Sequence, residues 1–215
     1  LGGSGAKLYR DVSKMSVFGI TGNLASGKST VAKALKNKGA IVFSADALVH
    51  QYYRDKRSAV YKKVITSFPQ ALEGSCISRK RLGKIVFSDD ARLSELERIV
   101  HPAVIAELKK WTRQMKKKDR LAVAEVPLLF EKRLEGYFDG VILVYTKSDV
   151  LKKRLREKYR FSPSQIARRL SLYLPVKRKI KRADFVIDNN EDLVALKRKA
   201  NLLWKKLLTF KGQST

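Results

Sequence analysis

Cysteine is nearly missing from this sequence. Cys76 stands alone among 215 residues, so no intrachain disulfide can form and no zinc cluster can be assembled from thiolates. A reducing, cytoplasmic setting is the expectation. Acidic side chains are scarce as well, 20 Asp and Glu against 47 Lys and Arg, for a formal net charge of +27. Lys or Arg breaks every apolar segment before it nears the ~18 residues that cross a bilayer, which argues against a membrane-spanning protein. Neither an internal repeat nor a low-complexity tract is present. What is present is 44% hydrophobic residues, too many for a wholly disordered chain and enough for one domain to bury a core unaided. Residues 1–14, opening LGGSGA, lack the basic and apolar stretches of a signal peptide and read as a flexible arm, leaving a single domain over 15–215.

The charge makes polyanions the expected partners: nucleic acid, anionic lipid or phosphorylated small molecules. Its densest runs lie at 113–120 (RQMKKKDR), 152–160 (KKRLREKYR) and 177–182 (KRKIKR). No helix-turn-helix glycine spacing or aromatic RNA-binding strand accompanies them, which weighs against nucleic acid. The first run reads as a solvated helix face.

Short apolar runs at 17–20 (VFGI), 40–43 (AIVF), 121–125 (LAVAE), 141–145 (VILVY) and 185–187 (FVI) predict five strands. Because they are continuous rather than alternating, both faces of each strand should be covered, as in a parallel α/β sheet. A helix is expected over 28–38, stopped by Gly39. The interval 45–120 should hold several helices, with Ser78 and Asp89 as caps and Pro102 at a first helical position after His101. A second excursion, 149–182, carries Ser162-Pro163-Ser164-Gln165, an N-cap serine with a first-turn proline and a capping-box glutamine. Leu193, Leu196, Leu203 and Leu207 among lysines predict a closing amphipathic helix over 192–210.

Residues 22–29, GNLASGKS, match G-x-x-x-x-G-K-[ST] between an expected strand and an expected helix. Gly22 and Gly27 let backbone N–H groups wrap phosphates, and the helix N-terminus adds positive potential. Lys28 would reach the β and γ phosphates, and the Ser29 hydroxyl would complete the coordination of Mg²⁺; the cradle by itself does not separate a GTPase, a motor ATPase and a small-molecule kinase. Asp46, just past the second strand, lies where a base for an acceptor alcohol is needed, in line with the γ phosphate. Its competing reading is an N-cap for a helix starting at Ala47. Glu125, after the third strand, would hold a magnesium-bound water or face solvent as an ordinary strand-end residue. Residues 146–149 (TKSD) resemble a guanine-reading element, but the chain has no D-x-x-G, so this segment reads as a helix cap. Arg154, Arg156, Arg168 and Arg169 suggest an arginine-bearing lid that closes over the nucleotide.

In sequence order, GITGNLASGKSTVAKAL, the SAD ending at Asp46, Arg79-Lys80-Arg81-Leu82 leading to IVF, LERIVHP ending at Pro102, EVPLLFE from Glu125, Arg154-Leu155, Arg169-Leu170 and RADFVIDN ending at Asn189 form an ordered set. By this set the chain resembles the dephospho-CoA kinase family from Val17 to about Asn190. The resemblance implies a P-loop NTPase-type three-layer α/β fold with a mostly five-stranded parallel sheet. The core would lie at 15–50, 119–150 and 183–215, a helical CoA-binding insertion at about 51–118 and a helical lid at about 151–182. It implies transfer of the ATP γ phosphate to the ribose 3′-hydroxyl of dephospho-CoA, with Mg²⁺. Asp46 matches the family's proposed base, and Ala25, Ser26, Gly27, Lys28, Ser29 and Thr30 match its ATP loop. Arg154 and Arg169 match lid arginines, and Arg79 and His101 fall on motifs assigned to the substrate side, with helix entry ahead of Pro102 as the competing reading of His101. The alternatives are a kinase of this architecture for another nucleotide-like alcohol, and a basic ATP-dependent nucleic-acid-binding protein.

The chain departs from the family pattern in four places. The loop, usually GGIGSGK, has Asn23, Leu24 and Ala25, which makes the backbone less permissive at Ala25. Ser44 and Glu125 stand where aspartates are usual, and Tyr173 where glutamine is.

Overall fold

The computed structural model describes residues 16–210, so the arm expected at 1–14 lies outside the described residues. The five expected strands are present as β1 (Val17–Thr21), β2 (Ile41–Ser44), β5 (Ala122–Glu125), β6 (Gly140–Tyr145) and β7 (Phe185–Asp188). Two further strands, β3 (Leu72–Glu73) and β4 (Cys76–Ile77), form a separate antiparallel hairpin that apolar patterning is too short to reveal. The main sheet runs β2-β5-β1-β6-β7, and every neighbouring pair is parallel.

All five residues of β1 are buried, which explains why no alternation marks its sequence. One face of the sheet is covered by α1 (Lys28–Asn37) and α9 (Leu193–Leu208), whose Val31, Leu35, Leu196, Leu203 and Leu207 meet Phe18, Ile20, Ile142 and Val144. The other face packs Val17, Ala122, Ala124 and Val141 against Leu108, Leu129 and Phe130. This is a three-layer α/β fold. Because β1 is flanked by β5 on one side and β6 on the other, the chain winds in opposite directions from it, and a crevice opens at the strands' C-terminal ends.

Between β2 and β5 the chain forms α2 (Ala45–Tyr52), α3 (Ala59–Ser67), the hairpin, α4 (Arg79–Val86) and α5 (Asp90–Met115), around a core including Val64, Phe68, Leu82 and Val104. Asp89 caps α5 as expected, accepting from the Ala91 and Arg92 N–H groups. Ser78 stands at the N-cap of α4 but makes no side-chain cap hydrogen bond. Pro102 is a correction: it lies inside the 26-residue α5 rather than at a helix start. An interior proline costs ~3 kcal/mol through its missing N–H and ring clash. Val100, Val104, Leu108, Thr112 and Met115 keep one buried stripe running through it, and that continuous burial outweighs the break.

Between β6 and β7 lie α6 (Ser148–Tyr159), α7 (Pro163–Ser171) and α8 (Val176–Ile180). The four arginines expected in one segment are split between α6 and α7, because Arg160 adopts a left-handed φ of 53° and ends the first helix. Ser162 and Gln165 form the capping box that opens the second. Leu151, Leu155 and Ile166 pack together, and Leu24 and Ala25 of the glycine-containing loop pack against them.

Candidate active site

The loop of residues 22–29 leaves the C-terminal end of β1 and enters α1 at Gly27. A Cβ at Gly22 would lie 2.0 Å from the Val144 carbonyl oxygen, so only glycine lets the chain turn this close to β6. Gly27 has a φ of 100°, and a Cβ there would meet the Asn189 Nδ2 at 2.4 Å. Ala25 is also left-handed, with a φ of 63°, and as an L-residue it carries the strain that a glycine there would not. Its methyl and the Leu24 side chain pack onto the α6–α7 cluster, which gives both departures from the glycine-rich pattern a partner.

Lys28 opens α1 and is 7% exposed. Its Nζ donates to the Asn23 carbonyl oxygen at 3.0 Å. Burial lowers its pKa, and the nearby carboxylates of Glu125 and Asp46 pull in the opposite direction. Ser29 Oγ donates to Glu125 Oε1 at 2.6 Å. Glu125 is 6% exposed, which removes the solvent-facing reading of this residue. It ends β5 in register with Ser44 of β2 and Ile20 of β1, so the sheet itself brings the second carboxylate to the loop. A magnesium ion bound with a nucleotide takes hard oxygen donors, with one or two from the protein and the rest from phosphates and water. The hydroxyl–carboxylate pair of Ser29 and Glu125 fits that requirement, and it needs no cluster of three acidic or imidazole ligands, none of which occurs among the described residues.

Asp46 lies in the first turn of α2. The cap of that helix is Ser44, whose Oγ accepts from the Ala47 N–H at 3.3 Å, so Asp46 is not the N-cap and its exposed carboxylate is free of that duty. It borders a cleft of about 610 Å³ together with Ala25, Gly27, Lys28, Ser29, Thr30, Glu125 and Arg154. Leu24 of the loop, Glu157, Lys158 and Tyr159 of α6, Asn189 and Asp192 ahead of α9, and Leu193 and Leu196 within it complete the lining. Ser26 is buried beneath the loop. A phosphate chain laid along the α1 N-terminus would therefore have Lys28 at its side, and Asp46 on the wall of the same cleft.

Three candidates stand elsewhere. Arg79 opens α4 with an exposed side chain. His101 is inside α5, its Nδ1 3.7 Å from Glu97 Oε2, which also accepts from Lys132 Nζ at 2.8 Å. Burial is the main cause holding the His101 pKa down, with the Lys132 charge acting the same way and Glu97 against them. Arg169 is sandwiched between the Phe87 ring at 3.8 Å and the Phe161 ring at 4.1 Å. Beside it Arg168 pairs with Asp90 at 2.7 Å, so α7 is docked on the α4–α5 junction. None of these three candidates, Arg79, His101 or Arg169, lines the cleft.

The residues 146–149 form no side-chain cap: Lys147 is the N-cap of α6 and makes no such bond. Thr146 instead is buried, and its hydroxyl donates to the Asn189 carbonyl at 3.2 Å and accepts from Arg154 at 3.4 Å. Asn189 Nδ2 donates to the Ser26 carbonyl at 2.9 Å and so ties the loop to the end of β7. Neither role was read from the sequence. A polar residue just past an apolar strand, as Thr146 follows β6 and Asn189 follows β7, is the signal that could have found both.

The sequence profile of the dephospho-CoA kinase family, CoaE, matches residues 16–195. A dephospho-CoA kinase of Aquifex aeolicus is 36% identical over 195 residues, 90% of this chain and 98% of that protein. One of Bdellovibrio bacteriovorus is 35% identical over 203 residues, 93% and 100% of the two chains. Among solved structures, the dephospho-CoA kinase from Campylobacter jejuni aligns with a TM-score of 0.63 at 26% identity over 90% of this chain and 97% of that one. A shikimate kinase from Acinetobacter baumannii, at 15% identity and a TM-score of 0.54 over 91% and 94%, is similar in fold alone.

Proposed function

The chain belongs to the dephospho-CoA kinase family and phosphorylates dephospho-CoA with ATP, and we propose that Asp46 is the base that takes the proton from the acceptor, its ribose 3′-hydroxyl. The observation that carries this reading is that Asp46, Lys28, Ser29 and Glu125 border one cleft at the C-terminal edge of a parallel sheet. The N–H groups of the loop and the Lys28 ammonium would hold the β and γ phosphates. Their fixed positive charge matters most as negative charge spreads over the transferred group. Ser29 and Glu125 would hold Mg²⁺, which would supply neutralisation of the phosphate charge.

Arg154, bonded to Thr146 Oγ1 and to the Glu191 carbonyl at 3.1 Å, would stay against the nucleotide as α6 and α7 serve as the lid. The helices over about 51–118 would be the insertion that takes the CoA portion, with Arg79 and His101 on that side. A chain carrying a net +27 suits the attraction of two polyanionic substrates, and the lone half-buried Cys76 supports a reducing cytoplasmic compartment. No described helix is long and apolar enough to cross a membrane.

The test is a coupled assay with Mg-ATP and dephospho-CoA that follows ADP and identifies CoA by mass, run beside Asp46→Asn. Loss of a general base lowers kcat by about 10²–10⁴ with ATP binding retained. Near-native turnover of Asp46→Asn would remove Asp46 as the base.

A further inference from the structure

Behind the phosphate loop lies a polar cluster that none of the site roles above uses. Lys179, in α8, has a fully buried side chain. Its Nζ lies 2.7 Å from Glu131 Oε1 and donates to Asn23 Oδ1 at 3.1 Å. The ring of Tyr173 covers it at 4.7 Å. Glu131 Oε1 also accepts from the Leu174 N–H at 2.8 Å, while Oε2 is buried without a hydrogen-bond partner. Burial depresses the Lys179 pKa, and the Glu131 carboxylate works against that. A buried ion pair with one oxygen left unpaired is a poor stabilising device compared with apolar packing of the same volume. Its retention calls for some other service.

That service is visible at Asn23. Two lysines converge on this one loop residue: Lys179 on its side-chain Oδ1, and Lys28 on its backbone carbonyl. The Asn23 carbonyl also accepts from the Ser26 N–H at 3.1 Å, closing the turn inside the loop. The position of Asn23 therefore sets both the shape of the loop and the resting place of the Lys28 ammonium. Glycine at this position, usual in the family, would offer Lys179 no side-chain acceptor.

We propose that Lys179, held by Glu131, is a positioning residue for ATP: through the Asn23 side chain it fixes the apex of the phosphate loop in its binding shape. The strut runs from the segment after β5, which carries Glu131, through α8 to the loop. It rests on the reading of residues 22–29 as the ATP site. Lys179 does not line the cleft and acts only through Asn23.

The test uses the full chain and compares the native protein with Asn23→Ala, the pair Lys179→Met/Glu131→Gln, the triple combination, and Lys28→Ala. Readouts are the ATP dissociation constant, KM for each substrate, kcat and Tm. Removing both charges together leaves no uncompensated buried ion, so the pair keeps a near-native Tm. Its ATP affinity falls about tenfold, the factor equivalent to ~1.4 kcal/mol, in the range of one charge-assisted hydrogen bond. KM for dephospho-CoA stays within about twofold. Asn23→Ala gives the same loss, and the triple variant gives no further loss because all three substitutions remove one contact. A pair variant that binds ATP like the native protein overturns the proposal, and so does a triple variant whose loss is the product of the other two. Should the pair fail to fold, Asn23→Ala decides alone: native ATP affinity there overturns the strut. Unaltered ATP binding in Lys28→Ala would instead sink the loop as the ATP site, a separate failure.

Discussion

Gly27 and Asn189 offer a sharp check on how the loop is built, because substituting either should break the same hydrogen bond. Asn189 Nδ2 donates to the Ser26 carbonyl at 2.9 Å, and both partners are buried. Truncating Asn189 to alanine leaves that carbonyl with only the 3.4 Å contact to Thr146, at a cost of roughly 1–3 kcal/mol. Gly27→Ala brings two costs. The left-handed φ of 100° is worth roughly 1–2 kcal/mol against an L-residue. The new methyl also lands 2.4 Å from Nδ2, which must swing away and give up the Ser26 bond, for another ~1–3 kcal/mol. The second of those terms is already spent in Asn189→Ala. The double variant should therefore be about as unstable as Gly27→Ala alone, a coupling of about 1–3 kcal/mol. The remaining neighbour, Leu196 Cδ2 at 3.1 Å, is the end of a flexible side chain and can yield. The assay is urea unfolding without nucleotide, with the midpoint and slope measured for all four proteins. Additive losses, with the double falling below Gly27→Ala by the full Asn189→Ala decrement, would refute the claim that the glycine exists to make room for the amide.

Two further perturbations follow from the same local chemistry. Ala25→Gly relieves roughly 1–2 kcal/mol of left-handed strain but restores roughly 0.4–1 kcal/mol of unfolded-chain entropy and gives up a half-buried methyl, for a net gain of about 0.5 kcal/mol. A rise in Tm of about 1–2 °C is expected, and a fall would show that the methyl's packing on α6 and α7 outweighs the strain. Tyr53 is 5% exposed, and burial pushes its hydroxyl from 10.0 up to about 12, with Arg79 partly opposing. Its folded pKa lies above its unfolded one, so its contribution is complete below about pH 10 and is lost as pH rises through about 12. At 1.36 kcal/mol per unit, that loss is about 3 kcal/mol. The stability difference between the native protein and Tyr53→Phe should shrink by this amount across the window, and a constant difference would dismiss the shift.

The sheet was legible because each of the five apolar runs became a strand of the parallel sheet, but full cover on both faces holds only for the inner strands β1, β5 and β6; the edge strands β2 and β7 are partly covered, with Val186 exposed. The phosphate loop was legible because glycine is required where a Cβ would collide with a neighbouring backbone, as at Gly22 beside the Val144 carbonyl. Pro102 misled because local chemistry marks it as a helix start, while burial of Val100, Val104 and Leu108 on either side carries α5 through it. Asn189, Thr146, Glu131 and Lys179 were silent for a different reason. Each acts on the loop across at least 100 residues of sequence, and nothing in the local pattern states which carbonyl or amide will be waiting there. Lys179 in particular sits within a run of six residues of which five are basic, 177–182, where a buried lysine is indistinguishable from its solvated neighbours.

The departures from the family pattern make physical sense together rather than singly. Ser44, in place of an aspartate, caps α2 through the Ala47 N–H and leaves the exposed Asp46 as the one carboxylate in that turn. Glu125, one methylene longer than the usual aspartate, reaches Ser29 Oγ at 2.6 Å from the end of β5. Asn23 gives Lys179 an acceptor that glycine would lack, and Tyr173, in place of glutamine, lays its ring over the same ammonium. Leu24 and Ala25 then press the other side of the loop against α6 and α7. A loop with fewer glycines loses some of its backbone freedom, and here each side chain that replaces one has a contact that directs the loop toward a single shape. Preorganisation of that kind reduces the ordering cost of gripping a triphosphate, so the less permissive sequence is compatible with undiminished nucleotide binding.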